Sequence, residues 1–199
     1  MRVGHGSDTG DGMADPQSDE ILIGHVAARD EQSFRVLMQR HMPRAIRLAQ
    51  RIVNNAAEAD DIGQEAFMRV WNHAADFDPE RARFTTWLYR IVVNLSVDRA
   101  REPRLCPIDE AASVAVASPA PIDAMIVREQ ETLLKDAVAV LLERQRAAIA
   151  LFHMEGLSGR EAATAMGLSE KAFESLLTRA RQSLKQKVEQ TELCGRRNA

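Results

Sequence analysis

Three groups of residues have types and spacings that could do chemistry. The first is Ala59-Asp60-Asp61-Ile62-Gly63-Gln64-Glu65-Ala66-Phe67-Met68-Arg69-Val70-Trp71. On a helix, Asp61, Gln64, Glu65 and Met68 share one face, opposite Ile62, Phe67, Val70 and Trp71. An acidic strip of this kind can hold a metal, act as acid and base, dock a basic partner, or stand as a solvated face. No histidine lies at a ligand-like step from Glu65 on this helix, which argues against a metal. The second group runs from Phe77 to Arg99, where Phe77, Phe84, Trp87 and Tyr89 stand between Arg81, Arg83, Arg90 and Arg99. Rings among arginines suit single-stranded nucleic acid, whose bases stack while its backbone follows positive charge. Taken singly, residues such as Trp87 and Tyr89 are more often core than stacking platforms. The third group is Lys171, Glu174, Ser175, Thr178, Arg179 and Gln182, which one helix would turn outward as donors for base edges and phosphates.

Helices must position these groups. Ile21, Leu22, His25 and Val26, then Phe34, Leu37 and Met38, recur at three- and four-residue steps, and Ile46, Leu48, Ile52 and Val53 continue the stripe. A break is expected at Asn54-Asn55. A further stripe, Ile62, Ala66, Phe67, Val70, Trp71, ends before Phe77-Asp78-Pro79, and a segment from Phe84 to Arg101 sets Phe84, Trp87, Leu88, Ile91, Val92 and Leu95 on one side. No period-two strand pattern is visible. Pro103, Pro107, Pro119 and Pro121 fall among small residues, a composition that resists a packed helix and marks a linker. Helical periodicity resumes near Met125 and runs through Leu133, Leu134, Val138, Leu141, Leu142, Ile149, Leu151 and Phe152 to about Val188, before a polar tail.

The expected fold class is therefore all-α. A disordered tail (1–18) precedes a helical domain (19–102), a flexible Pro/Ala-rich linker (103–128) and a second helical domain (129–199) with a polar C-terminal tail. Within the second, Ser158 and Glu161 make a capping box, so a helix starts there, and Gly167-Leu168 stops it after about two turns. Ser169 then caps a longer helix whose first turn carries Glu170. A short helix, a Gly turn and a longer helix make a helix-turn-helix, which lays its second helix in the DNA major groove. Helix pairs joined by a Gly turn also occur in bundles that never touch DNA.

Composition narrows the class. The chain has 199 residues, 45% of them apolar, with 26 Lys+Arg against 29 Asp+Glu. That describes a globular protein and excludes collagen-like, disulfide-framework and wholly disordered chains. Cys106 and Cys194 lie too far apart to make a metal cage, and reduced thiols in a cytosolic protein are the expectation. No run approaches the roughly 18–20 apolar residues of a membrane helix, and the first residues lack an apolar signal core. A cytoplasmic protein without membrane insertion is expected. The net charge of −3 is awkward for a protein that grips DNA alone, although Arg179, Arg181, Lys185 and Lys187 cluster in the last helix.

Taken together, the D-D-I-x-Q-E-A-F-x-R-V-W strip, the F-x-x-W-L-Y-R-I-x-x-N segment, the proline-rich tether and the C-terminal helix-turn-helix resemble a bacterial RNA polymerase sigma factor of the extracytoplasmic-function group. The match runs in the right order over about residues 19–190. The resemblance implies a factor that binds core RNA polymerase through its β′ clamp and β flap, directs initiation at a stress-response regulon, and is controlled by an anti-sigma factor. It implies no catalytic residue, metal or cofactor. By that likeness Asp61, Gln64, Glu65 and Arg69 dock on the β′ clamp. The loop carrying Phe77, Arg81, Arg83 and Phe84, with Trp87 beyond it, captures a base flipped from the minus-ten element, which costs a few kcal/mol to unstack. Asn94 reads that element's upstream edge, and Arg90 and Arg99 hold the backbone. Lys171, Glu174, Ser175, Thr178 and Arg179 meet the minus-thirty-five element. Glu174 and Leu176 stand where the family often has basic residues, and Leu142 where it usually has proline. The carboxylate at 174 could accept from cytosine.

Two other classes compete. A repressor or activator explains the helix-turn-helix but leaves the acidic strip and aromatic segment without purpose. An enzyme with a helical carboxylate metal site would use Glu58, Asp60, Asp61 and Glu65.

Overall fold

A computed structural model describes residues 18–101 and 141–195, with side chains through Gln190. Seven α-helices occupy these residues, without a strand among them. Helix α1 (Asp19–Ala27) starts on Ser18, whose hydroxyl accepts from Ile21 N. The stripe read as running through residue 38 is interrupted at Arg29-Asp30. Arg29 takes a left-handed φ of 68°, and the Asp30 carboxylate accepts from the amides of Gln32 and Ser33 to open α2 (Glu31–Val53). The Arg29 guanidinium lies 5.4 Å from the Trp71 ring centroid, within cation–π range.

The break at Asn54-Asn55 falls as expected. Asn54 ends α2 in the αL conformation, and Asn55 caps α3 (Ala56–His73) through its side chain. A 3₁₀ turn (Ala74–Asp76) leads to the loop before α4 (Phe84–Arg101), which starts where expected and is helical to the last described residue of this segment. Gly63 lets α3 approach α2 closely, since a Cβ there would stand 2.5 Å from Ile46 Cγ1.

Residues 1–17, 102–140 and 196–199 lie outside the described part, and with them the tail, the linker, its boundaries and the periodicity from Met125 to Val138. Leu141 is buried, but Leu142, read as part of the apolar stripe, is 66% exposed. It stands at the N-cap of α5 (Glu143–Ile149), where the Gln145 side chain accepts from its amide. A π turn (Ala150–Met154) follows, then α6 (Gly159–Ala165) and α7 (Glu170–Gly195). Helix α7 thus runs past Val188 into the segment read as a polar tail. Gln186 to Leu193 contains good helix formers and no breaker before Gly195.

Buried side chains of the two helical domains form one continuous cluster, from Leu22 through Phe67, Leu88 and Leu151 to Phe173 and Ala180. The second domain therefore rests on the first.

Candidate nucleic-acid interface

The helix-turn-helix is built by local chemistry. Ser158 Oγ accepts from Glu161 N at 3.2 Å, and Glu161 Oε2 accepts from Ser158 N at 2.9 Å, closing the capping box. Hydrogen bonds from the Ser158 hydroxyl and amide hold the Glu161 carboxyl below its ordinary pKa. At the other end of α6, Gly167 has φ +63°. Its amide donates to Thr164 O and the Leu168 amide to Ala163 O, the pair of bonds that closes a helix on a left-handed residue. Ser169 Oγ then accepts from Ala172 N to start α7.

With both ends fixed, α7 has a defined roll. Phe173, Leu177 and Ala180 turn inward with Ala162, Ala163 and Met166 of α6, all buried. Lys171, Glu174, Ser175, Thr178, Arg179 and Gln182 are exposed. Arg179 lies along the helix, its Nε donating to Ser175 O at 3.3 Å. The outer face thus offers an ammonium, a guanidinium, two hydroxyls, an amide and a carboxylate, mixed chemistry suited to base edges rather than a uniform phosphate grip.

The strip on α3 is a second outward surface. Asp61 and Gln64 are exposed, and Glu65 Oε1 accepts from Arg69 Nη2 at 2.7 Å, one turn along. Met68 is 61% exposed among them, while Ile62, Ala66, Phe67 and Val70 are buried behind. An apolar side chain inside an acidic rim fits a basic partner that also brings an apolar contact. Among the described residues no group of three or more His, Cys, Asp or Glu side chains is placed to hold a metal ion.

The aromatic segment divides. Phe84 is wholly buried, its ring 5.2 Å from that of His41, and its amide donates to Glu20 Oε1 at 3.2 Å. It therefore offers no face to a base. Burial assigns it to shaping the loop, a correction to its expected place in base capture. Phe77 and Trp87 are half-buried, with ring centroids 5.6 Å apart, each also close to Phe84. The loop between is folded on Asp78, whose Oδ1 accepts from Glu80 N and whose carbonyl accepts from Arg81 N. Arg81, Arg83, Arg90 and Asn94 are exposed, and Arg99 is half-buried. Tyr89, the only tyrosine, is buried and takes no part in this surface.

Three features went unread in the sequence: Gly63 at the helix crossing, Arg146, and the carboxylate of Glu155. Arg146 is buried, and its Nε donates to Ile52 O at 2.6 Å. Glu155, 3% exposed at its side chain, sits among Arg44, Arg51 and Tyr89. A lone charge between Met154 and Gly156 carries no local signal of burial.

A helix-turn-helix with a mixed polar outer face, carried beside a helical domain with an exposed acidic strip, is the arrangement expected of a transcription protein that meets both DNA and another protein. Residues 37–104 match sigma-70 region 2, and residues 131–184 match sigma-70 region 4. The RNA polymerase sigma factor CnrH of Cupriavidus metallidurans is 30% identical over 182 residues, covering 86% of this chain and 95% of that one. The ECF RNA polymerase sigma-E factor of Escherichia coli K12 is 28% identical over 188 residues, covering 89% and 97%. The structure of CnrH in complex with the cytosolic domain of CnrY superposes with a TM-score of 0.65 at 27% identity, covering 86% and 97%. The chain belongs to the RNA polymerase sigma factors, in their extracytoplasmic-function (ECF) group. It is a transcription-initiation factor that works with RNA polymerase at promoter DNA. No helix among the described residues is long and apolar enough to cross a membrane.

Proposed function

We propose that this chain acts as a promoter-specificity subunit with no catalytic step of its own, each outward surface serving one partner. The face of α3 bearing Asp61, Gln64, Glu65 and Arg69 docks on the β′ clamp of core polymerase, and the second domain meets the β flap. The Asp78-folded loop with Phe77, Arg81 and Arg83, together with Trp87, Arg90, Asn94 and Arg99 beyond it, opens and holds the minus-ten element. Lys171, Glu174, Ser175, Thr178 and Arg179 of α7 read the minus-thirty-five element. A dedicated anti-sigma protein controls the factor at a stress-response regulon, and the complex of the relative CnrH with the cytosolic domain of CnrY supports a regulatory protein partner. The work belongs in the cytoplasm, where the polymerase is.

The observation that carries this reading is the roll of α7, which buries Phe173, Leu177 and Ala180 and leaves a mixed polar face outward. The net charge of −3 fits as well. Counterion release scales with the phosphates neutralised, so a weakly basic reader gains little from DNA until polymerase presents it. The test is transcription with purified chain and core polymerase on promoters selected from the source genome. RNA should start at specific sites, and failure at every promoter would sink the reading. Tight operator binding without polymerase would favour a repressor instead.

A further inference from the structure

Helix α4 has no side-chain cap from its own N-cap residue. Arg83 holds that position, its carbonyl accepting from Trp87 N at 3.1 Å, but a guanidinium accepts no hydrogen bond and so cannot serve the amides of the first turn. The acceptor comes instead from α1, 64 residues earlier in the chain. Glu20 Oε1 accepts from Phe84 N at 3.2 Å, which places a carboxylate at the positive end of α4. Asp19, the neighbour of Glu20, reaches the same phenylalanine by way of its ring. Asp19 Oδ2 lies 2.7 Å from His41 Nε2, Oδ1 accepts from Arg40 Nη1 at 3.0 Å, and the His41 ring stands 5.2 Å from that of Phe84.

We infer that Glu20 is a positioning residue for base capture: it fixes where α4 begins, and so where the loop from Phe77 to Arg83 must end. The inference rests on the assignment of that loop to the minus-ten element. A carboxylate holds each end of the loop. Near its start Asp78 Oδ1 accepts from Glu80 N, while Asp78 O accepts from Arg81 N; at its end Glu20 accepts from Phe84 N. Helix α1 also packs against the 3₁₀ turn that leads into the loop. The half-buried rings of Phe77 and Trp87 stand 6.3 and 6.2 Å from that of Phe84. The residue that Glu20 fixes is therefore the floor on which both rings rest.

A captured base needs a loop that is already in shape. Unstacking the base is costly, and any freedom the loop keeps until the base arrives adds to that cost. Phe84 is wholly buried, so an amide deprived of Glu20 has little recourse to water unless the first turn of α4 unwinds. Unwinding lengthens the loop and displaces Arg83 and Trp87. An amide oxygen in place of the carboxylate oxygen still accepts the bond, whereas a methyl group does not. Glu20 does all this without touching DNA.

The experiment pairs hydrogen exchange on the free full chain with fluorescence in the complex with core polymerase. The Phe84 amide should exchange slowly in the unsubstituted chain, about tenfold faster in Glu20→Ala, and slowly again in Glu20→Gln. On a promoter carrying the fluorescent base aminopurine at each minus-ten position in turn, a rise in emission should mark the captured base. Glu20→Ala should bind core polymerase as the unsubstituted chain does but slow that rise about tenfold, and Glu20→Gln should restore it. Ile23→Val, which trims buried packing of the same helix, should leave the rise as it was. An unslowed rise in Glu20→Ala overturns the inference. So does a loss that Glu20→Gln or Ile23→Val shares, since it would mark charge or general stability. Fast exchange of the Phe84 amide in the unsubstituted chain overturns it even if Glu20→Ala does not fold; Glu20→Asp, a methylene short of the amide, then takes the place of that variant and should show the same loss. A cap confirmed by exchange in a chain whose complex unstacks no base at any position would remove the minus-ten assignment, and the positioning role with it.

Discussion

Tyr89 donates its hydroxyl to Glu155 Oε2 at 2.9 Å across 66 residues of chain, joining α4 to the turn before the DNA reader. Burial first, then the negative charge of Glu155 and the hydrogen bond to it, push the phenol pKa above its ordinary value of 10.0. The folded state therefore binds this proton more tightly than the unfolded one. Its contribution to stability is complete below about pH 10 and is lost as pH rises through the raised folded value.

Because Tyr89 is the only tyrosine, ultraviolet titration reads it alone. The phenolate band should emerge near pH 10 in denaturant and only at distinctly higher pH in the folded chain. Glu155→Gln should move the folded titration back toward 10. A normal phenol in the folded protein would mean that the seam between the two domains is open to water.

Gly63 should not tolerate a side chain. Its added Cβ would stand 2.5 Å from Ile46 Cγ1, so Gly63→Ala should cost about 1–3 kcal/mol, helix propensity notwithstanding. Combined with Ile46→Ala, the loss should be smaller than the sum of the single losses, as denaturant midpoints would report. Additive losses would place the two helices farther apart than described.

Ser158→Ala should weaken the start of α6 by about 1 kcal/mol. Glu161, whose carboxyl is held below its ordinary 4.5 by Ser158, supports the fold above that pH, and the support is lost as pH falls through its depressed folded value. Stability of the native chain should thus decline more on acidification below about pH 4.5 than that of Ser158→Ala. Parallel profiles would show that the box does not couple to folding.

The outward surfaces should respond to charge and donor changes without unfolding. Asp61→Arg should lower affinity for core polymerase, since it reverses an exposed charge on the α3 strip; unchanged affinity counts against that docking face. Arg179→Ala should weaken promoter use by about 1–3 kcal/mol if the guanidinium reads a base. Equal loss on a scrambled upstream element would mark a phosphate contact instead.

What the chain's order of residues determined was local. Asn54 and Asn55 end one helix and begin the next, Ser158 and Glu161 close a box over three residues, Gly167 stops α6, and the roll of α7 follows from Phe173, Leu177 and Ala180. Each depends on residues within a turn or two, so spacing reveals it. The αL residue at Arg29 escaped because the stripe continues across it and arginine does not announce a turn. Phe84 read as a base-stacking ring because its burial is decided by His41 and Phe77, which period alone does not bring together. Tertiary structure alone decided the seam. Glu155 meets Arg44 across 111 residues and Arg51 across 104, and in sequence it is one more carboxylate before a glycine. Which distant donors surround a charge depends on how two finished surfaces fit, and no local periodicity encodes that fit.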